Sequence, residues 1–306
     1  MKSTRIQAAL ITAVTGATLL APLAAFAEDA PAAAPEAAAP AAAPNPLTTN
    51  VGLVSDYRFR GISQTFGKIA IQGGVDYAHE SGWYVGNWDS NVSETAGYPN
   101  GNLEMDFYGG FKKSIGDWGY DVGVLHYYYP GSTAAGSAGG GAGPWAVVPT
   151  GGQSALGNPH STATNSGTVH NTEIYIAGSW KFLSLKYSHA VTDYFMIPDT
   201  KGSSYLDLSA NYDLGDGWGI VGHAGHTSVH NFSEATYSDY KLGVTKDVSG
   251  YVFGATIVGT NAKGDCGAAV AGTSIQPYCL AKAEGAGRTT LDAGKTTVVL
   301  SVNRTF

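Results

Sequence analysis

After its first 27 residues the sequence has no run near the roughly 20 consecutive apolar residues that a spanning helix needs, so any bilayer crossing must be made by strands. Basic residues are scarce, 17 against 24 acidic, which makes the chain a poor partner for nucleic acid, whose phosphates call for lysine and arginine. Cysteine is limited to Cys266 and Cys279, without the nearby histidine spacing of a zinc site. The glycine run Gly139–Gly143 is not followed by Lys-Ser/Thr and a helix, so it is no phosphate-binding loop. Methionine occurs three times and charged residues make up only 13%, whereas there are 18 tyrosines and 42 glycines. That balance suits short patterned strands better than helices.

The amino terminus implies export. Lys2 and Arg5 precede the nearly uncharged stretch Ile6–Leu23, and Ala25-Phe26-Ala27 is a small-x-small cleavage site, so residues 1–27 read as a signal peptide. Its removal takes 17 basic residues to 15 against 24 acidic, and the net charge from −7 to −9. Residues 28–46, nearly all alanine and proline, read as an extended periplasmic spacer. In an exported protein the close pair Cys266 and Cys279 reads as a disulfide stapling a loop, worth about 3 kcal/mol in the chain-entropy model.

From residue 47 to the end, twelve segments alternate with a period of two, each long enough for the ~9–11 residues of a tilted membrane strand. Leu47, Val51, Leu53, Tyr57 and Phe59 oppose Asn50, Asp56, Arg58 and Arg60 in the first. In the third, Tyr84 and Trp88 oppose Asn87 and Asp89; in the seventh, Leu183, Leu185 and Tyr187 oppose Ser184, Lys186 and Ser188. In the last, Val298, Leu300, Val302 and Phe306 oppose Thr297, Ser301, Asn303 and Thr305. Connections after even segments are short and those after odd segments mostly long, the longest near 130–167 and 261–290. The expected fold is therefore all-β: an up-and-down antiparallel transmembrane barrel of twelve strands over 47–306, with both termini periplasmic and the long loops extracellular. A terminal strand ending on Phe306 suits closure of an outer-membrane barrel and recognition by the barrel-assembly machinery.

Facing rules follow from cost. A Lys or Arg pointing to lipid at mid-bilayer costs about 2–4 kcal/mol, so Lys186 must point inward and the apolar faces outward. Trp83, Trp118, Trp180, Trp218 and Tyr251 lie near the short turns, where an interfacial girdle belongs. The opposite faces carry rows of charge and almost no second apolar layer. Asp56, Asp76, Asp89, Glu104, Asp106, Asp121, Glu173, Asp207 and Asp239 are expected in the lumen against Arg58, Arg60, Lys68, Lys186 and Lys241. Nine acidic against five basic groups predict a weak cation preference. Arg58 and Arg60 are read either as an electrostatic constriction facing Glu104 or Asp106, or as part of a salt-bridge network that holds the rim.

The expected function is a narrow diffusion channel for small hydrophilic solutes or ions in the outer membrane, with surrounding lipid as its other partner. A closed structural or adhesive barrel is the alternative. A rim hydrolase would need a nucleophile, base and orienting group to converge. His223, His226 and His230, with Ser233, Glu234 and Asp239 after them, are the nearest approach, but His223 and His226 have opposite parity. No catalytic residue, cofactor or metal ligand is therefore expected.

The run Ser55-Asp56-Tyr57-Arg58-Phe59-Arg60-Gly61-Ile62-Ser63-Gln64-Thr65 resembles the TorF-type porins of proteobacteria. So do Tyr127-Tyr128-Tyr129-Pro130-Gly131, Thr192-Asp193-Tyr194-Phe195, Asp239-Tyr240-Lys241-Leu242-Gly243-Val244 and the Phe306 ending. The likeness spans about residues 46–306 and implies an outer-membrane barrel with channel activity; it supplies no catalytic residue and no substrate.

Overall fold

In the computed structural model, which describes residues 46–98, 100–133, 160, 161, 163, 167–271, 274–284 and 287–306, twelve antiparallel strands close into one barrel. They are β1 (Leu47–Val54), β2 (Ala70–Ala78), β3 (Trp83–Asn91), β4 (Leu103–Ile115), β5 (Trp118–Thr133), β6 (Thr168–Trp180), β7 (Leu183–Ala190), β8 (Ser204–Gly215), β9 (Trp218–Ser228), β10 (Tyr237–Val248), β11 (Tyr251–Thr260) and β12 (Thr297–Thr305). Each pairs with its neighbours in sequence. The ring closes on β1, where Val51 sits opposite Gly73 of β2 on one side and Arg304 of β12 on the other. The expected signal peptide, all but the last residue of the expected spacer and most of the 130–167 loop lie outside the described residues. At eight residues, β1 and β7 are shorter than the expected strand length.

The tight ends of the hairpins follow from local chemistry. Asp216-Gly217 and Ser249-Gly250 both take positive φ at two successive positions (52° and 76°, 55° and 83°), the turn whose twist matches a β-hairpin. β1 begins and β12 ends at this short-turn end. Here Trp83, Trp118, Trp180, Trp218 and Tyr251 point outward and exposed, as expected. Lys181, Lys246 and Arg304 lie over the rings of Trp180, Trp218 and Tyr251, at 5.0, 5.0 and 4.4 Å.

Strand parity then sorts the side chains. Along β5, Trp118, Tyr120, Val122 and Val124 are exposed while Leu125, Tyr127 and Tyr129 are buried. The same outward apolar row recurs on every strand, through Leu185 and Tyr187, Leu206 and Leu208, Leu242 and Val244, and Val298 and Leu300. An apolar surface wrapping a whole barrel has no stable home in water and is satisfied by hydrocarbon. Leu208→Arg, in the middle of β8, should cost about 2–4 kcal/mol if it meets the bilayer midplane. Urea unfolding in lipid vesicles would read this, and no loss there would mean that this face is not lipid-exposed.

Within the 261–290 segment the expected disulfide is formed, Cys266 to Cys279, with Cα atoms 5.1 Å apart. It ties the short helix Cys266–Ala271 to an outer hairpin, Cys279–Glu284 with Gly287–Asp292. Tyr278 and Leu280, beside the bridge, are buried over the loop-side mouth of the barrel.

Candidate functional site

The interior is where the structure departs most from the expectation. β1 does not run on to Arg60. It stops at Val54, and the next residues turn into the bore as a small hairpin in which Arg58–Phe59 pairs with Ile62–Ser63. Its turn is Arg60-Gly61, with φ 48° and 77°, again the primed hairpin geometry. Gly61 packs against the β10–β11 wall: a Cβ there would lie 2.4 Å from Thr260 Cγ2 and 3.0 Å from Asp239 Cβ, so only glycine fits. Every residue from Asp56 to Thr65 is buried. Tyr57 and Phe59, expected to face lipid, are inside, because the alternation that reads as an outward strand is equally that of a hairpin folded into an aromatic interior.

Side chains satisfy this plug from within and from both neighbours. Asp56 accepts from Ser63 Oγ (2.6 Å), Thr65 Oγ1 (3.1 Å) and Arg58 Nε (2.6 Å). Arg58 Nη1 also donates to the carbonyls of Gly61 (3.1 Å) and Ala293 (2.7 Å), and Ser63 N donates to Ala293 O at 3.0 Å. The strand-12 side of the disulfide-bearing loop thus grips the hairpin. Tyr98 donates to Gln64, and Tyr57 OH to Glu104 Oε1 at 3.2 Å. Arg58 is thus buried and tied to Asp56 and to the carbonyls of Gly61 and Ala293.

Arg60 is fully inside. Its Nη2 donates to Glu173 Oε2 at 2.8 Å and Nη1 to Tyr194 OH at 3.2 Å. Its guanidinium carbon stands 4.2 Å from the Tyr205 ring centre and 4.8 Å from that of Phe59. Around it Glu104, Asp106 and Glu173 project from β4 and β6. Both carboxylate oxygens of buried Asp106 lack a hydrogen-bond partner among the described residues.

On the adjacent wall, His223 of β9 lies between two carboxylates, Nδ1 2.9 Å from Asp207 Oδ2 and Nε2 2.7 Å from Asp239 Oδ1. Tyr205 OH stands 2.9 Å from the same Nε2 and 3.1 Å from Asp239 Oδ2. His226 faces outward next to Ser238 Oγ at 2.9 Å, so the two histidines do not converge. Aromatic rings fill the rest of the loop-side half, Phe59, Tyr127, Tyr129, Phe195 and Tyr278 among them. The gap between Phe59, Tyr98, Phe195 and Tyr278 is about 40 Å³, room for water and nothing larger. The expected absence of a second apolar layer fails here.

The short-turn half is different. Inward Asn211, Asp213 and Ser114 are exposed, and Asp76, Asp121 and Lys186 half-buried, so solvent enters from this end. Tyrosines lie flat against inward glycines: an added Cβ on Gly86 would strike the Tyr108 ring, and one on Gly123 the Tyr175 ring. Tyr108 OH donates to Asp76 (2.7 Å) and Tyr84 OH to Asp121 (2.6 Å), while Lys112 and Lys186 cover the Tyr84 and Tyr175 rings at 4.9 and 4.5 Å.

Asp76, Glu104, Asp106, Asp121, Glu173, Lys186, Asp207, Asp239 and Lys241 all share the inward parity of their strands. Asp89 does not. It sits on the outer face of β3 with Trp83 and Val85, held by Asn87 Nδ2 at 3.0 Å, because Tyr84 and Trp88 take the inward positions. Lys68 is exposed in the connection to β2, outside the lumen. Lys112 was not anticipated inside; its parity on β4, shared with Glu104 and Asp106, was the available signal.

A family model described as "Bacterial protein of unknown function (Gcw_chp)" matches residues 38–140 and 157–306. No curated protein matches. Among solved structures, the KdgM porin in complex with disordered oligogalacturonate is 6% identical, covering 85% of this chain and 98% of that one, with a TM-score of 0.45. An outer membrane channel from Pseudomonas putida F1 is 11% identical over 87% and 97%, TM-score 0.38. OprD from Pseudomonas aeruginosa is 10% identical over 85% and 65%, TM-score 0.32. Likeness at this level concerns the fold alone.

Proposed function

The chain belongs to the bacterial Gcw_chp family, and from its interior we propose that it is an outer-membrane channel whose loop-side mouth is stoppered by its own first loop. The observation that carries the reading is a closed barrel, apolar outside, whose polar lumen is open to solvent at one end and filled at the other by a hydrogen-bonded hairpin packed among aromatic rings. A purely structural barrel has no need of the ionised, solvent-reached half. The short-turn end with both termini belongs in the periplasm and the disulfide-bearing loop outside, the orientation usual for such barrels. Membership of the TorF-type porins fits the same picture, since the run that carries the resemblance is the plug itself.

Withdrawal of the hairpin also sets the ion preference. Asp56, Arg58 and Arg60 would leave the bore together. On the wall that remains, the acidic groups Asp76, Glu104, Asp106, Asp121, Glu173, Asp207, Asp213 and Asp239 outnumber the basic Lys112, Lys186, Lys241 and His223 by eight to four. Small hydrophilic cations are the solutes such a lining favours. Recording from purified protein in planar bilayers under a salt gradient tests both parts. A reversal potential on the cation side is expected for open events, and an anionic reversal potential would overturn the preference. Complete electrical silence, including after the plug is shortened, would overturn the channel.

A further inference from the structure

We propose that the pocket holding the Arg60 side chain is a binding site for organic cations, guanidinium or alkylammonium solutes, which the hairpin occupies as a built-in ligand. For its use in permeation this rests on the channel reading above. The groups that recognise the charge belong to the barrel wall and its rim. Glu173 projects from β6, its other oxygen fixed by Asn171 Nδ2 at 3.0 Å. Tyr205 projects from β8, its hydroxyl tied to Asp239. Tyr194 stands on the connection between β7 and β8. A carboxylate flanked by aromatic faces is the chemistry that selects a delocalised or alkylated cation over a small hydrated one.

Two features mark the pocket as more than a tie-down for the loop. Arg60 sits at φ 48°, a left-handed position that costs a residue with a Cβ about 1 kcal/mol, so the turn holds a strained residue for the sake of its side chain. The wall also presents polar atoms that the guanidinium does not satisfy, since both oxygens of buried Asp106 lack a hydrogen-bond partner among the described residues. A soluble cation reaching the pocket would compete with Arg60 directly. Solute entry and plug release would then be one exchange.

The test is equilibrium binding of agmatine, which carries a guanidinium and an ammonium, to the full-length protein in detergent. Wild type has its pocket filled, so Arg60→Ala should bind agmatine at least about tenfold more tightly, with no such gain for glutamate. The double variant Arg60→Ala/Glu173→Gln should lose that gain. Should the alanine variant not fold, Arg60→Asn, which suits the left-handed turn and carries no charge, makes the same comparison. Equal binding by wild type and the emptied variant, or a gain indifferent to Glu173→Gln, would overturn the site. If the gain appears while no variant passes current, the site stands and the channel reading falls.

Discussion

Replacing Arg58–Ser63 by Gly-Gly should turn a closed barrel into a conducting one, with time-averaged current in planar bilayers rising by about tenfold or more. The shortened loop can close without strain on its base, because Gln64 N already donates to Tyr57 O at 2.8 Å, the bond that spans a two-residue turn. What disappears is the part that crosses the bore, the Gly61 tip against Thr260 and the Arg60 anchor in its acidic pocket. Arg60→Ala is the graded version. It leaves Glu173 buried without its cation, and losing one partner of a buried pair costs about 3–5 kcal/mol. All of that falls on the plugged state alone, so the closed-to-open ratio should drop by roughly two to four powers of ten. Arg58→Ala should act in the same direction but less, since Arg58 holds the hairpin to Asp56 and the Ala293 carbonyl rather than to the opposite wall. Currents identical to wild type in all three would mean that the hairpin is not what stops flow.

The barrel was legible because its cause is local and repeated. Period-two alternation, Gly-containing tight turns and charge excluded from one face act within a few residues, and twelve strands appear in the order those signals place them, β1 alone ending well short of its segment. The interior was less legible because parity says which residues share a face, not which face is inside. In β3 both faces mix aromatic and polar groups, Trp83, Val85, Asn87 and Asp89 against Tyr84, Trp88 and Ser90. The choice is made by neighbours distant in sequence. Tyr84 reaches Asp121 of β5, Trp88 packs edge-on against Tyr57 at 5.5 Å, and Asp89 is left outside. In the first segment the apolar parity is interrupted only by Ser55 where the chain leaves the wall, and it resumes at Tyr57 and Phe59. The other local sign is Gly61, which suits the left-handed turn it makes with Arg60. Period-two parity also says nothing of pairing: Asp56 and Arg58 are joined within the plug, and Arg60 of the plug is joined to Glu173 of the wall.

Removing His223 should weaken the barrel itself more than any other single change in the lumen wall. Both ring nitrogens face carboxylate oxygens, from Asp207 on β8 and Asp239 on β10, so one imidazolium cross-links three adjacent strands. The site is nearly sealed, with side-chain exposure of 5% for His223, 10% for Asp207 and 2% for Asp239. His223→Ala would leave two buried carboxylates without the cation they share, Asp207 keeping only its neighbour Lys186 across the strand pair, at a cost of about 3–5 kcal/mol. Asp239 would also lose the group that helps hold Tyr205 in place, and Tyr205 is the ring on which Arg60 rests. The variant should therefore show two effects: a lower urea midpoint in lipid vesicles and a plug that opens more often. His223→Gln, which can still donate to one carboxylate but brings no charge, should recover only a minor part of the stability. Hydrogen bonding alone would let glutamine restore most of it, whereas a requirement for positive charge between Asp207 and Asp239 would not. His226→Ala, on the outer face beside Ser238, is the matched control and should leave both the midpoint and the current near wild type. A His223→Ala barrel as stable as the His226→Ala barrel would mean that the two carboxylates are neutralised from elsewhere, and the three-strand cross-link would lose its energetic basis.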